Sequence, residues 1–226
     1  MKTFWNEETM YTMEQLLAFA EACITERNFT DAQAFLERAA SANNLSAKYR
    51  LACLYRDTPE LQIPQAKRFI LSEQLLLELA NTLNRSKDLE TISQELAILY
   101  QYKKMPISFI AYKLRAYHLS QTPDSHQLSL IENSIKKLDL TKLDRDPHGV
   151  GVLGLECLHE PKLQRIGVFF LREAVKYGDK NGILALLLAD HLEANPSIDE
   201  DSGNLASAFR MIAENRGNPD ILRRHT

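Results

Sequence analysis

Four short stretches carry residue types that chemistry can use. The first, His148-Gly149-Val150-Gly151-Val152-Leu153-Gly154, is a literal Gly-x-Gly-x-x-Gly. In that spacing glycines bring a dinucleotide's pyrophosphate against a helix N-terminus. The chemistry requires a buried strand immediately upstream, and here the chain reads Leu-Thr-Lys-Leu-Asp-Arg-Asp-Pro from Leu140 to Pro147. That is too charged for a central strand, so the glycines read as close-packing positions. Cys157-Leu158-His159 offers two metal-ligand types, but zinc takes four ligands, or three and a water, and no second pair lies nearby. Asp190-His191-Leu192-Glu193 holds acid and base types, yet sequence neighbours on a helix point in different directions. Asp199-Glu200-Asp201-Ser202-Gly203 starts like a calcium loop without the bidentate Glu that would close it. Acids just before a helix are ordinary there. Six histidines with no nucleophile signature make no triad. The expectation is no catalysis, no cofactor and no resident metal.

The balance of charge narrows the partners. Lysine and arginine number 27 against 30 aspartates and glutamates, a net charge of −3, which gives no electrostatic reason to expect nucleic acid. No apolar run reaches the roughly 18 residues of a membrane helix. The opening Met-Lys-Thr-Phe-Trp-Asn-Glu-Glu has acids where a signal peptide needs an apolar centre. The basic end, Arg223-Arg224-His225, reads as a solvated tail. Cys23, Cys53 and Cys157 are odd in number and sit in apolar helical patterns, the signature of buried free thiols. The sequons at Asn28, Asn44 and Asn84 then read as turn residues. A cytoplasmic location is the expectation, with a periplasmic or exported one the alternative if a leader has been removed.

The elements that position these residues are helices. With only eight glycines and eight prolines among 226 residues, and apolar residues recurring at three and four, the chain reads as all-α with about eleven helices. Residues 1–8 are a lead-in, and helices follow from Met10 to Glu26, Asp31 to about Ala42, Ser46 to Arg56 and Pro64 to about Asn84. More are expected from Ser86 to about Lys104, from Pro106 to about Gln121, and near 124–139, 149–159, 161–177, 181–194 and 203–215. Leu140 to Gly149 is the least regular stretch.

The helices repeat. A first-helix pattern recurs as Ala47/Leu51/Ala52/Tyr55, Ile92/Leu96/Ala97/Tyr100, Gly149/Leu153/Gly154/Cys157 and Gly182/Leu186/Leu187, with Met13/Leu17/Ala18 weaker. A second-helix pattern recurs as Ala32/Phe35/Leu36/Ala39/Ala40, Gly167/Phe170/Leu171/Ala174/Val175/Gly178 and Ala206/Phe209/Ala213/Gly217. Asn43 suits the left-handed conformation that ends a helix. Stacked helical hairpins explain such a figure, because each buries its stripe against the next.

Gly167-x-x-Phe170-Leu171-x-x-Ala174-Val175-x-x-Gly178-Asp179 and Ala47-x-x-x-Leu51-Ala52-x-x-Tyr55 resemble the Sel-one-like repeat family, a relative of the tetratricopeptide repeat. The resemblance implies a right-handed α-solenoid that binds other proteins. It covers residues 13 to about 217 and is sharp in the first and last quarters. Most copies lack the first-helix glycine and the glycine-rich turn, and residues 122–147 match no copy. The expected organisation is one helical-repeat domain over 1–226 with about five hairpins. It comprises repeats at 10–84, a middle at 86–147 that is either a degenerate repeat or an inserted helix, and repeats at 148–217.

In such a stack the first helices face a concave groove. The packing positions then place Gln15, Phe19, Ala22, Ser46, Tyr49, Cys53, Arg56, Gln94, Ile98, Gln101, Leu184, Leu188 and His191 towards it. Of these, Gln15, Phe19, Tyr49, Cys53, Arg56, Gln94, Gln101 and His191 are the candidate partner-binding residues. The mixture of amides, aromatics and apolar groups suits an extended peptide or an amphipathic helix. The expected function is a non-catalytic scaffold or adaptor. The alternatives are an oligomeric regulator or assembly factor, associating through Gly182–Leu192 or the odd middle helix, and, further off, an enzyme with an unrecognised site.

Overall fold

The computed structural model describes residues 11–198 and 201–216. Among them the chain is all-α, with eleven α-helices and one 3-10 segment. The lead-in, Asp199-Glu200, Gly217 and the Arg223-Arg224-His225 tail lie outside the described residues. The chain divides into two compact units at Asn84 and Arg85.

The first unit holds α1 (Met13–Thr25), α2 (Phe29–Ser41), α3 (Leu45–Asp57) and α4 (Gln65–Thr82). Each helix packs on the next. Its core is the sequence stripe itself: Leu16 and Ala20, then Ala32, Leu36 and Ala39, then Ala47, Leu51 and Tyr55. The alanines are fully buried, so the helix backbones come close and the leucines fill the remaining space. The turns are equally economical. Asn43 takes φ 59° as its pattern requires, and Arg27 and Lys104 take the same conformation without being Asn or Gly. In each case the next amide reaches five residues back, Asn28 to Cys23, Asn44 to Ala39 and Met105 to Tyr100, which closes the helix with a Schellman turn.

Buried charge in this unit serves backbone ends. Arg68 of α4 is 5% exposed, and its guanidinium donates to the carbonyls of Tyr55 and Thr58, both at 2.8 Å. A cation thereby meets the carbonyl end of α3, where the helix dipole favours it. Lys48 of α3 pairs with Glu78 of α4.

The second unit holds α5 (Ser86–Tyr102), α6 (Pro106–Leu119), α7 (Ser125–Lys136), the 3-10 segment (Leu140–Arg145), α8 (Pro147–Leu158), α9 (Gln164–Tyr177), α10 (Ile183–Ala194) and α11 (Ser202–Arg216). Three hairpins, α5/α6, α8/α9 and α10/α11, join α1/α2 and α3/α4 of the first unit to make five. Helix α7 stands outside that series. It packs on α6, while α6 packs directly on α8. Residues 122–147 therefore behave as an insertion: α7 and the 3-10 segment return the chain so that α8 runs parallel to α6.

One carboxylate fixes that parallel pair. Asp146, 7% exposed, accepts the Gly149 amide at 3.0 Å as the N-cap of α8. Its other oxygen accepts the amide and hydroxyl of Ser108, in the first turn of α6, at 3.0 and 2.8 Å. Two helix N-termini, each with unsatisfied amides, share one cap. Asp179 does the same for α10 alone, accepting the amides of Leu184 and Ala185 at 3.2 and 2.9 Å.

The glycines of the Gly-x-Gly-x-x-Gly stretch lie inside α8 and are buried. A β-carbon on Gly149 would collide with Asp146 and Ser108. One on Gly154 would come within 3.0 Å of the Leu171 amide, and one on Gly167 within 2.9 Å of the Gly154 carbonyl. Gly154 and Gly167 thus form the α8–α9 crossing point. The stretch is a packing device, with no strand before it.

Candidate binding cleft

The second unit has an open cleft of about 670 Å³ among α5, α6 and α7. Helix α5 gives Glu90, Gln94, Ala97, Ile98 and Gln101; α6 gives Phe109, Ile110, Lys113, Ala116 and Tyr117; α7 gives Gln127, Leu130, Ile131 and Ser134. Each set follows helical spacing, so three complete stripes face one trough. The lining mixes apolar side chains with amides, hydroxyls and the charged Glu90 and Lys113. Ile98 and Leu130 are 39% and 54% exposed, a cost in water that a guest would remove. Lys113 lies 5.1 Å over the Phe109 ring, and Gln94 donates to Glu90 at 3.2 Å.

Of the eight sequence-derived candidates, Gln94 and Gln101 line this cleft, with Ile98 between them. The others have different settings. Gln15 completes the α1 capping box, its side-chain oxygen accepting the Thr12 amide at 2.8 Å. Phe19 joins rings with Tyr11 and Phe35, each at 5.4 Å. Tyr49 and Cys53 are half-buried on α3. Arg56 turns to its neighbour Asp57, with two contacts of 2.7 Å. Leu188 is fully buried, and Leu184 reaches Gly151, so both pack between helices. Phe109, Lys113, Tyr117, Gln127, Leu130 and Ser134 were missed. Their one sequence signal is that Phe109 and Leu130 are large apolar residues off their helices' buried stripes.

His191 lies in a second polar group at the ends of α6, α8 and α10. His118 meets Glu156 at 2.9 Å and Glu160 at 3.3 Å, Arg115 stands 3.8 Å from Glu156, and the His118 and His159 rings are 5.6 Å apart. Burial, then the neighbouring His159, holds the His191 imidazole below its ordinary pKa. Burial, then Glu156 and Glu160, pushes the Cys157 thiol up to about 12, so it is no nucleophile at neutral pH. Among the described residues no group of three His, Cys, Asp or Glu could hold a metal ion. Neither His159 nor His191 lines the cleft.

The depressed His191 gives a pH prediction. The unfolded chain takes up this proton near the ordinary value of 6.5 while the folded chain resists it. Stability from this group is therefore full above that pH and falls as acid is added. In urea titrations from pH 7.5 to 5, His191→Gln is expected to lose less stability than the wild type; parallel losses would remove the assignment.

Helix α10 buries Ala185, Leu186, Leu188, Ala189 and Leu192 within the unit, leaving Ile183 and Leu187 as its exposed apolar residues. No helix among the described residues is long and apolar enough to cross a membrane. No protein-family model, no curated protein and no solved structure matches the chain, so the geometry of the cleft carries the functional reading.

Proposed function

We propose that this protein is a non-catalytic interaction module that seats an amphipathic helix of a partner protein in the α5–α6–α7 cleft. The observation that carries this reading is the set of three side-chain stripes, on three helices, around one open trough of mixed apolar and polar lining. Helix-in-groove recognition uses apolar anchors at i, i+3 or i+4 and i+7, and stripes of this kind are what such anchors meet. The exposed Ile98 and Leu130 support it, because burying the remaining exposed half of each against a guest contributes on the order of 1 kcal/mol. The spacing resemblance to Sel-one-like repeats agrees with a protein-binding scaffold.

Leu130→Glu and Ile98→Glu provide the test, since both positions are exposed and the fold does not depend on them. A displayed library of short peptides panned on the wild type should enrich sequences with apolar residues at helical spacing. Each variant is expected to weaken those peptides tenfold or more, about 1.4 kcal/mol, with an unchanged circular dichroism melt. Enriched peptides that bind both variants as tightly as the wild type would place the binding face elsewhere.

A further inference from the structure

We infer that the guest helix runs parallel to α6 and carries carboxylates in its first turn; this rests on the helix-binding reading above. The connections Lys103–Met105 and Ser120–Asp124 are short, so α5 and α7 both run antiparallel to α6. The trough is walled by two helices of one direction and floored by a third of the other. A guest parallel to α6 sets its amide end beside the carbonyl ends of both walls. Those ends carry opposite half-charges, as in an antiparallel four-helix bundle. The α5 lining from Glu90 to Gln101 covers three turns, roughly 16 Å at 1.5 Å per residue, which sets the guest's length.

Side-chain charge agrees with this direction. Where α5 and α7 finish and α6 begins, the chain gathers Lys103, Lys104, Lys136 and Lys137, with Lys113 midway along α6 and its ammonium over the Phe109 ring towards that end. Acids lie there too: Glu132, Asp139, which Lys142 engages at 2.5 Å, and Asp146, which accepts from Ser108 in the first turn of α6. Lys113 is itself part of the cleft wall. The opposite end is mixed, with Arg85 and Lys87 against Asp88, Glu90 and Asp124. Between the ends the polar lining is neutral: Gln94, Gln101, Gln127 and Ser134. Cations thus gather beside the trough where α6 begins, and Lys113 leans towards that end from the lining. A helix with Asp or Glu in its first turn, which its own dipole already favours, has the complementary pattern.

Two fluorescein-labelled peptides about 14 residues long, a little over the three-turn lining, provide the test on the full chain. Both carry leucines at helical spacing; one has glutamates in its first turn and lysines in its last, the other the reverse. By fluorescence anisotropy the acid-first peptide is expected to bind about tenfold tighter at low salt, with the ratio shrinking as salt rises. Lys113→Glu should reduce or invert the preference. A spin label on the acid-first peptide's N-terminus should broaden amides near Lys104 and Lys136 rather than near Asp88 and Asp124. Equal binding of both peptides that Leu130→Glu abolishes would overturn the inference and leave the helix-binding reading standing. Binding by neither, or binding indifferent to Leu130→Glu, would overturn both.

Discussion

Replacing Asp146 with alanine is expected to lower the stability of the second unit by about 3 kcal/mol. Losing an N-cap costs about 1 kcal/mol by itself, and here the α8 cap is the smaller part. The same carboxylate accepts the amide and hydroxyl of Ser108, and Ser108 is fully buried. Without Asp146 that amide, in the first turn of α6, faces the interior with no acceptor, a cost of roughly 1–3 kcal/mol. Asp146→Asn should recover part of the loss, because an amide oxygen still accepts while its nitrogen cannot. Hydrogen exchange of the full chain is the suitable measurement: amides of α6 and α8 should lose protection together while those of α1–α4 keep theirs. Loss confined to α8 would mean that the link to Ser108 contributes nothing.

The second large effect is expected at Gly167. A side chain here must push against the Gly154 carbonyl, a backbone atom that cannot turn aside, at 2.9 Å from its first carbon. Helices α8 and α9 would have to separate, opening the packing of Phe170, Leu171 and Ala174, each no more than 1% exposed. Gly167→Val is expected to destabilise by about 3 kcal/mol, at the upper end of overpacking costs. Gly203 is the control. A β-carbon there meets nothing within 4 Å, so Gly203→Ala should stabilise α11 by roughly 0.5–1 kcal/mol through backbone entropy. Urea midpoints of the two variants should therefore move in opposite directions. A neutral Gly167→Val would show that the crossing adjusts at little cost.

The order of helices was legible because spacing alone reports a buried face. Ala47, Leu51 and Tyr55 on one side of α3, or Ile92, Leu96 and Tyr100 on one side of α5, are all buried as their pattern demands. Asn43 also ends α2 in the expected conformation. Turn chemistry was less legible. Arg27 and Lys104 adopt positive φ although neither residue type announces it, since the Schellman hydrogen bonds outweigh a local preference of about 1 kcal/mol. The path of residues 122–147 was beyond the pattern. The role of α7 is set by which helix it leans on, and the stripe of Ile131 and Ile135 states that it packs without stating where.

The cleft was half legible for the same reason. Gln94, Ile98 and Gln101 followed from the α5 pattern. The α6 and α7 walls did not, because their relation to α5 arises from the return that the insertion makes. Arg56 illustrates the converse error. Its position on α3 is outward, but an arginine beside an aspartate satisfies its guanidinium on Asp57, and spacing is blind to that choice.

If the cleft seats a helix as proposed, the anchoring of α7 bears on its selectivity. Of its twelve residues only Ile131 and Ile135 are buried, and its principal neighbour is α6. A helix held by two anchors sits low on the ladder of local unfolding energies. One wall of the trough is thus a firmly seated helix, α5, and the other is adjustable. Under the proposed function, guests of different girth would be admitted by displacing α7, and each would then meet the entropy of stilling it. On the proposed helix-binding function, a cradle with one lightly anchored side would trade tightness for breadth, accepting a class of helices rather than a single sequence.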